Sequence, residues 1–328
     1  MTWLITGGAG FIGAHVVRAM TAAGESVAVY DDLSTGDRGR VPDGVPFVEG
    51  STLDRSRLVS ALRDHGVTGV VHLAAKKQVA ESVARPLHYY RENVTGLEVL
   101  LDAAAECGVR SFLFSSSAAV YGMPDVDLVT EDTDCRPINP YGETKLVGEW
   151  MVRAAGAAHG MATASLRYFN VAGSAAPELA DTGVFNLVPM VFEKLTEGEA
   201  PVVFGDDYAT EDGTCVRDFI HVEDIASAHL ATARALTERG PGADLTLNIG
   251  RGEGVSVREM IALIGEVTGY GPKASPTTAG RRPGDPARVV ASAARIAEEL
   301  GWQARHDARA MVASAWEGWC LRHPGARP

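Results

Sequence analysis

The run Thr6-Gly7-Gly8-Ala9-Gly10-Phe11-Ile12-Gly13 constrains this chain more than any other segment, because it follows an apolar stretch of strand character and opens a segment of helical period. In that context glycines have separate uses. Gly7 and Gly10 let the backbone turn tightly and approach a pyrophosphate, Gly13 lets helix and strand pack closely, and the helix N-terminus faces the anion. The chain then alternates in the same way. Residues 26–30, 45–49, 69–73, 111–115 and 163–167 read as strands after the first at 2–6, with helical periodicity over 11–23, 54–65, 93–107 and 141–159. Continuous apolar runs such as Phe112-Leu113-Phe114 are what strands buried on both faces require. The pattern predicts an α/β fold, a Rossmann-type doubly wound parallel sheet that binds a dinucleotide over residues 1–170, with some later segments returning to it.

Past residue 170 the regularity breaks into Gly-, Pro- and Asp-rich loops between shorter elements, which predicts a smaller C-terminal α/β substrate lobe over 171–328. One helix there is marked by a capping box, Ser256 with Glu259, and by Gly269 beyond its end. Residues 271–288 read as an irregular loop, and 293–300 and 308–320 as closing helices.

At 328 residues and 46% hydrophobic side chains a sizeable core is available. The net charge of −12 and the lack of a long basic run exclude a nucleic-acid partner, though two or three placed cations suffice for a small anionic substrate. Four scattered cysteines without CxxC pairing argue against a metal site and against a disulfide framework. With no apolar run of bilayer length and no signal-peptide pattern, a cytoplasmic protein without membrane contact is expected.

Asp31 and Asp32 close the second strand, where a carboxylate accepts hydrogen bonds from an adenosine ribose and repels a 2′-phosphate, so NAD is expected; Arg38 and Arg40 nearby leave NADP open, and a solvated turn is the other reading. Tyr141 and Lys145 lie four apart at the start of a helix, hence on one face. A phenol titrates near 10 in water, and a neighbouring ammonium favours the phenolate that a base needs. Ser117 ends the fifth strand on the side where open α/β sheets bind ligands; alternatively the Ser115-Ser116-Ser117 run only completes a turn.

These residues, together with Ala80-Glu81-Ser82, Tyr89-Tyr90, Asn93-Val94, Leu166-Arg167-Tyr168-Phe169-Asn170-Val171, Thr210-Glu211-Asp212-Gly213-Thr214, Val216-Arg217-Asp218-Phe219-Ile220-His221-Val222 and Arg281-Arg282-Pro283-Gly284-Asp285, resemble the extended short-chain dehydrogenase/reductase family, in its branch of UDP-hexose 4-epimerases. The resemblance implies Tyr141 as base, Lys145 as its electrostatic partner and Ser117 as proton bridge. It places the cofactor against Gly7, Gly10, Phe11, Ile12, Gly13, Asp31, Asp32, Ser51, Thr52, Leu73, Ala74, Ala75, Lys77, Asn93, Tyr141, Lys145 and Tyr168. It places the UDP-sugar against Ser117, Tyr141, Asn170, Asn186, Leu187, Val202, Phe204, Arg217, Arg282, Asp285 and Val289, with no metal. Arginine forks suit phosphate oxygens and Phe204 an apolar wall for uracil, while Arg217 pairing with Asp218 and a solvated Lys77 are the plainer alternatives. The implied reaction is C4 epimerisation of UDP-glucose/UDP-galactose, with UDP-GlcNAc/UDP-GalNAc admitted by the small Val289.

Two departures stand out: Ser51 where an aspartate usually holds the adenine, and Ala119 where Thr or Ser is common. A dehydratase or decarboxylase of the same fold needs an acid in the loop before Val120-Tyr121-Gly122, which reads Ser117-Ala118-Ala119; an inactive NAD-binding scaffold would not need Tyr141 and Lys145. The resemblance also implies a homodimer through a four-helix bundle, with Leu97, Leu100, Leu101, Leu146, Trp150 and Met151 as apolar candidates.

Overall fold

In the computed structural model, which describes every residue except Pro283, strands and helices alternate from the start: β1 (Thr2–Thr6), α1 (Phe11–Ala22), β2 (Ser26–Asp31), β3 (Phe47–Glu49), α2 (Arg55–Asp64) and β4 (Gly69–His72). Pro283, a member of the 281–285 motif, lies outside the described residues. Two short helices, α3 (Val79–Ala84) and α4 (Pro86–Tyr89), and a π-helical turn at Tyr90–Thr95 lead into α5 (Gly96–Glu106). The helix predicted from residue 93 therefore starts in a wider turn and becomes regular only at Gly96. Next come β5 (Ser111–Ser117), a 3-10 turn at Ala118–Tyr121, α6 (Pro140–His159) and β6 (Ala162–Tyr168).

The second half holds β7 (Asn170–Ala172), α7 (Leu187–Thr196), β8 (Val202–Phe204), β9 (Val216–His221), α8 (Val222–Arg239), β10 (Asp244–Ile249), β11 (Gly254–Ser256), α9 (Val257–Thr268), β12 (Thr277–Ala279), β13 (Arg288–Val289), α10 (Ala294–Leu300) and α11 (Ala308–Arg322). The main sheet is parallel and seven-stranded, in the order β10-β6-β5-β4-β1-β2-β3. The order reverses between β1 and β4, the switch point at which such sheets bind ligands beyond the strand carboxyl ends. Six of these strands match the sequence pattern. The seventh, β10, pairs with β6 from Asp244↔Thr163 to Ile249↔Tyr168 and brings α8 back against α1.

Apolar side chains fill both faces of this sheet. Trp3, Ile5, Val16, Val17, Ile225 and Leu247 pack on the α1/α8 side, and Leu58, Leu62, Leu97, Leu100, Phe112 and Val152 on the α2/α5/α6 side. A separate core forms where α7, α9 and α11 meet, around Phe192, Met260, Ile264, Trp316 and Trp319. The α9 capping box is formed in full: the Ser256 hydroxyl accepts from the Glu259 amide at 3.0 Å, and Glu259 accepts from the Ser256 amide at 2.7 Å. Among the described residues no helix is long and apolar enough to cross a membrane.

Candidate active site

The glycine-rich turn owes its shape to close backbone contacts. Gly7 has φ +72°, and a Cβ there would come within 2.7 Å of the Ala74 nitrogen; a Cβ on Gly13 would lie 2.0 Å from the Gly7 carbonyl oxygen. Gly10 caps α1 without a side-chain hydrogen bond, and the first turn holds no acidic residue, so its amides stay available to an anion. Phe11 and Ile12 continue the helix, Phe11 buried and Ile12 packed at the core edge.

Asp31 sits beside this turn and accepts the Ala9 amide on Oδ2 and the Leu33 amide on Oδ1, both at 2.9 Å. Burial pushes its carboxyl up, and those two amides pull it back. Asp32 is exposed and accepts the Ser34 amide. Arg38 and Arg40 are occupied elsewhere: Arg38 stacks over Phe47, and buried Arg40 donates to the Ala180 carbonyl at 2.9 Å. The solvated-turn reading of Asp31 and the role of these arginines at a 2′-phosphate both lose support. These features suit NAD.

Ser51 caps its own turn through the Leu53 amide, Thr52 lies in the space that Gly96 leaves open, and Leu73-Ala74-Ala75 extend β4 past Gly7. Lys77 is exposed, while its neighbour Lys76 donates to the Ser34 hydroxyl at 3.2 Å. Asn93 is buried and spends its amide on the Lys76 backbone and on Thr144, locking the loop after β4 to α6.

The N-terminus of α6 is built by Asn139, which accepts the Gly142 amide at 2.9 Å, and by Pro140 in the first turn. That places Tyr141 at the carboxyl end of β5, with the Ser117 hydroxyl on the side of its phenol. Burial raises the Tyr141 pKa, and the Ser117 hydroxyl opposes that rise. Lys145 is buried one turn further on, its ammonium donating to the Ser115 carbonyl at 2.7 Å and lying 5.9 Å from the Tyr141 ring centroid. Burial brings the Lys145 pKa down to about 8, against the pull of the Glu149 charge. Tyr168 is the register partner of Ser117 across β5 and β6; its hydroxyl bonds His229, and burial pushes the phenol up.

On the other lip, Arg217 donates to Asp285 at 2.8 Å. It does not pair with Asp218, which is buried and accepts three backbone amides, those of Arg251, Gly252 and Ala291. The Arg282 guanidinium lies 3.7 Å from the Phe204 ring centroid, at the end of the short strand that begins with Val202. Asn170 is exposed at the start of β7. Asn186 caps the backbone of α7 before Leu187 and lines one cavity with Phe11, Gly173, Asp181 and Arg322, so cofactor helix and second lobe share a wall. Val289 is buried beside Tyr121, Val129, Leu146 and Phe169. A Cβ on Gly284 would lie 3.3 Å from Ile138, which brings residues 284–289 against the segment leading into Tyr141.

Sequence reasoning missed the ion pair of Arg167 and Glu149 behind Lys145. Its signals were an arginine inside a buried strand and a glutamate one helical turn past the lysine.

Residues 3–250 match the NAD dependent epimerase/dehydratase family. The chain is 46% identical over 310 residues to the UDP-glucose 4-epimerase of Azospirillum brasilense, covering 93% of this chain and 87% of that one. To the UDP-glucose 4-epimerase of Streptomyces lividans it is 42% identical over 98% of this chain and 97% of the other. It also superposes with a TM-score of 0.93, at 37% identity and 98% coverage of each chain, on the UDP-glucose-4-epimerase of Stenotrophomonas maltophila crystallised with NAD and formylated UDP-arabinopyranose. Glycine turn, Tyr/Lys/Ser constellation and full-length likeness agree, and the chain belongs to the NAD dependent epimerase/dehydratase family.

Proposed function

We propose that this protein inverts C4 of UDP-hexoses, interconverting UDP-glucose and UDP-galactose through a transient 4-keto sugar. The observation that carries the reading is Tyr141 beside Ser117 at the end of β5, with a buried lysine one turn behind, on the ligand side of a sheet whose glycine turn presents a free helix N-terminus. Bound NAD supplies the oxidised nicotinamide that takes up and returns the hydride. It would be held by Gly7, Gly10 and Gly13 at the pyrophosphate, Asp31 at the ribose, and Lys145 and Tyr141 at the nicotinamide end.

In this mechanism Tyr141 removes the proton from the sugar 4-hydroxyl, and Ser117 passes that proton between sugar and phenol. Lys145 supports the phenolate through the field of its ammonium. Arg217 and Arg282 hold the diphosphate and Phe204 the uracil. In this reading Arg282, which here lies over the Phe204 ring, would have to move off that face. With the UDP end fixed, the keto sugar turns and presents its other face, so the returned proton and hydride give the opposite configuration without net use of cofactor.

The small side chain of Val289 is the reason N-acetylhexosamines are included among the substrates of this reading. The four free cysteines suit a reducing cytoplasm. A homodimer is part of this reading, through an apolar face that differs from the one drawn from sequence: Leu97, Leu100, Leu101 and Leu146 are buried in their own subunit, whereas Trp150, Leu87 and Val83 are exposed on α6, α4 and α3.

The direct test is incubation of purified protein with UDP-galactose and UDP-GalNAc separately, followed by NMR of the products. UDP-glucose and UDP-GlcNAc are expected. A 6-deoxy-4-keto product, or no conversion, overturns the reaction assigned here, and a Val289→Tyr variant that keeps its N-acetyl activity overturns the account of breadth.

A further inference from the structure

Behind Tyr141 and Lys145 lies a polar network that the chemistry above does not use. Glu149 follows Lys145 on α6 by one turn; its side chain is 2% exposed and that of Arg167 on β6 is 6% exposed. The pairing is forked, with Arg167 Nε donating to Oε1 at 2.8 Å and Nη2 to Oε2 at 2.6 Å. Oε1 also accepts the Ser116 hydroxyl at 2.5 Å. The remaining Arg167 nitrogen, Nη1, donates to the Tyr121 hydroxyl at 2.9 Å and the Glu131 carbonyl at 3.2 Å. Tyr121 in turn donates to Asn248 Oδ1 at 2.7 Å, and Asn248 donates to the Val129 carbonyl at 2.9 Å.

The placement of these groups is specific. Ser116 and Arg167 are register partners on β5 and β6, one rung before Ser117 and Tyr168. Tyr121 ends the 3-10 turn that Ser117 caps, and Glu149 lies on the helix that carries Tyr141 and Lys145. One guanidinium thus ties the turn holding the proton bridge to the helix holding the base. Burying an ion pair is a poor route to stability, since apolar residues of similar volume often serve as well. A geometric duty explains its presence better.

We propose that Glu149 and Arg167 are positioning residues of the active site, fixing Ser117 against the Tyr141 and Lys145 side chains and setting a negative charge one helical turn behind the lysine. The groups around Lys145 agree. Tyr141 and Glu149 share its helix, His72 approaches from β4 but is held neutral by burial, and Arg167 and Tyr168 stand one contact away on β6. Glu149 is therefore the anion that opposes the desolvation of the Lys145 ammonium.

This inference rests on the epimerase reading, and wild-type turnover in the same assay keeps the two apart. Conversion by wild type with unaltered variants removes only the positioning role. Glu149→Gln keeps shape and an acceptor but loses the charge. Its kcat should fall by about 100-fold, the scale of a 1 Å misplacement, with KM for UDP-galactose changed by less than about threefold. The alkaline limb of kcat/KM should move to lower pH by about one unit, because the lysine loses its counter-charge. Glu149→Leu/Arg167→Met replaces the whole pair with apolar groups and should fold by circular dichroism even where the single variant does not. It should show a low kcat and a smaller acidward shift of the limb, since the Arg167 cation leaves together with the Glu149 anion. Wild-type kcat and an unmoved limb in the folded double variant mean that the pair only fills space, and overturn the proposal.

Discussion

Tyr141 shows how little a single residue settles by itself. Burial alone moves its phenol the wrong way for a base, and the Ser117 hydroxyl is the neighbour that counters it. The Lys145 ammonium is anchored on the Ser115 carbonyl, 5.9 Å from the Tyr141 ring centroid, so in the proposed mechanism it reaches the phenol by its field and not by a hydrogen bond. Tyr141→Phe, which removes only the oxygen that carries the proton, should lower kcat by about 10³-fold or more while calorimetric affinity for UDP stays within about threefold. Near-normal turnover of that variant refutes the assignment of the base. That Tyr141, Lys145 and Ser117 come together was legible because a four-residue spacing and a strand end are local facts. Glu149 and Arg167 were not, because their pairing spans two elements and only packing brings the fork to the carboxylate.

At the scale of elements, α6 presents two unlike faces. Its inward face carries Lys145, Leu146 and Glu149 toward β5 and β6, and its outer face leaves Trp150 56% exposed, beside α3 and α4 where Leu87 is 81% exposed. Helical period marks a face as apolar without saying whether it meets its own sheet or another chain. That is why leucines of α5 were misassigned to a bundle and now stand in the core. Trp150→Glu/Leu87→Glu should convert a dimer to monomer in sedimentation velocity while far-ultraviolet circular dichroism is retained. An unchanged sedimentation coefficient rules out this face. By contrast the boundaries of α9 were readable to the residue, since its capping box and Gly269 are signals within one turn of the helix ends.

At the scale of the whole molecule, buried histidines set the response to acid. Burial lowers the pKa of His15, His221 and His229 to about 4 and of His72 to about 3, from an ordinary 6.5. Below the ordinary value the unfolded chain takes up protons that these folded sites refuse, so stability is complete above 6.5 and is lost as pH falls toward 4. Each pH unit of that window costs about 1.4 kcal/mol per histidine. Asp218, raised to about 6 by burial, and Asp31, also raised by burial, work in the opposite direction, two groups against four. The melting temperature should therefore drop steeply between pH 6.5 and 4, and a flat profile down to pH 5 contradicts this balance. The amino-acid order alone specified the parallel doubly wound sheet, the dinucleotide turn and the placing of Tyr141 and Lys145 on one helix face, because apolar runs, glycine contacts and one-turn spacings act between near neighbours in the chain. Folding in three dimensions assigned the seventh strand, the Asp285 partner of Arg217, the outward face of α6 and the buried ion pair. Those depend on which distant segments meet and which way their side chains point, and no periodicity along the chain carries that information.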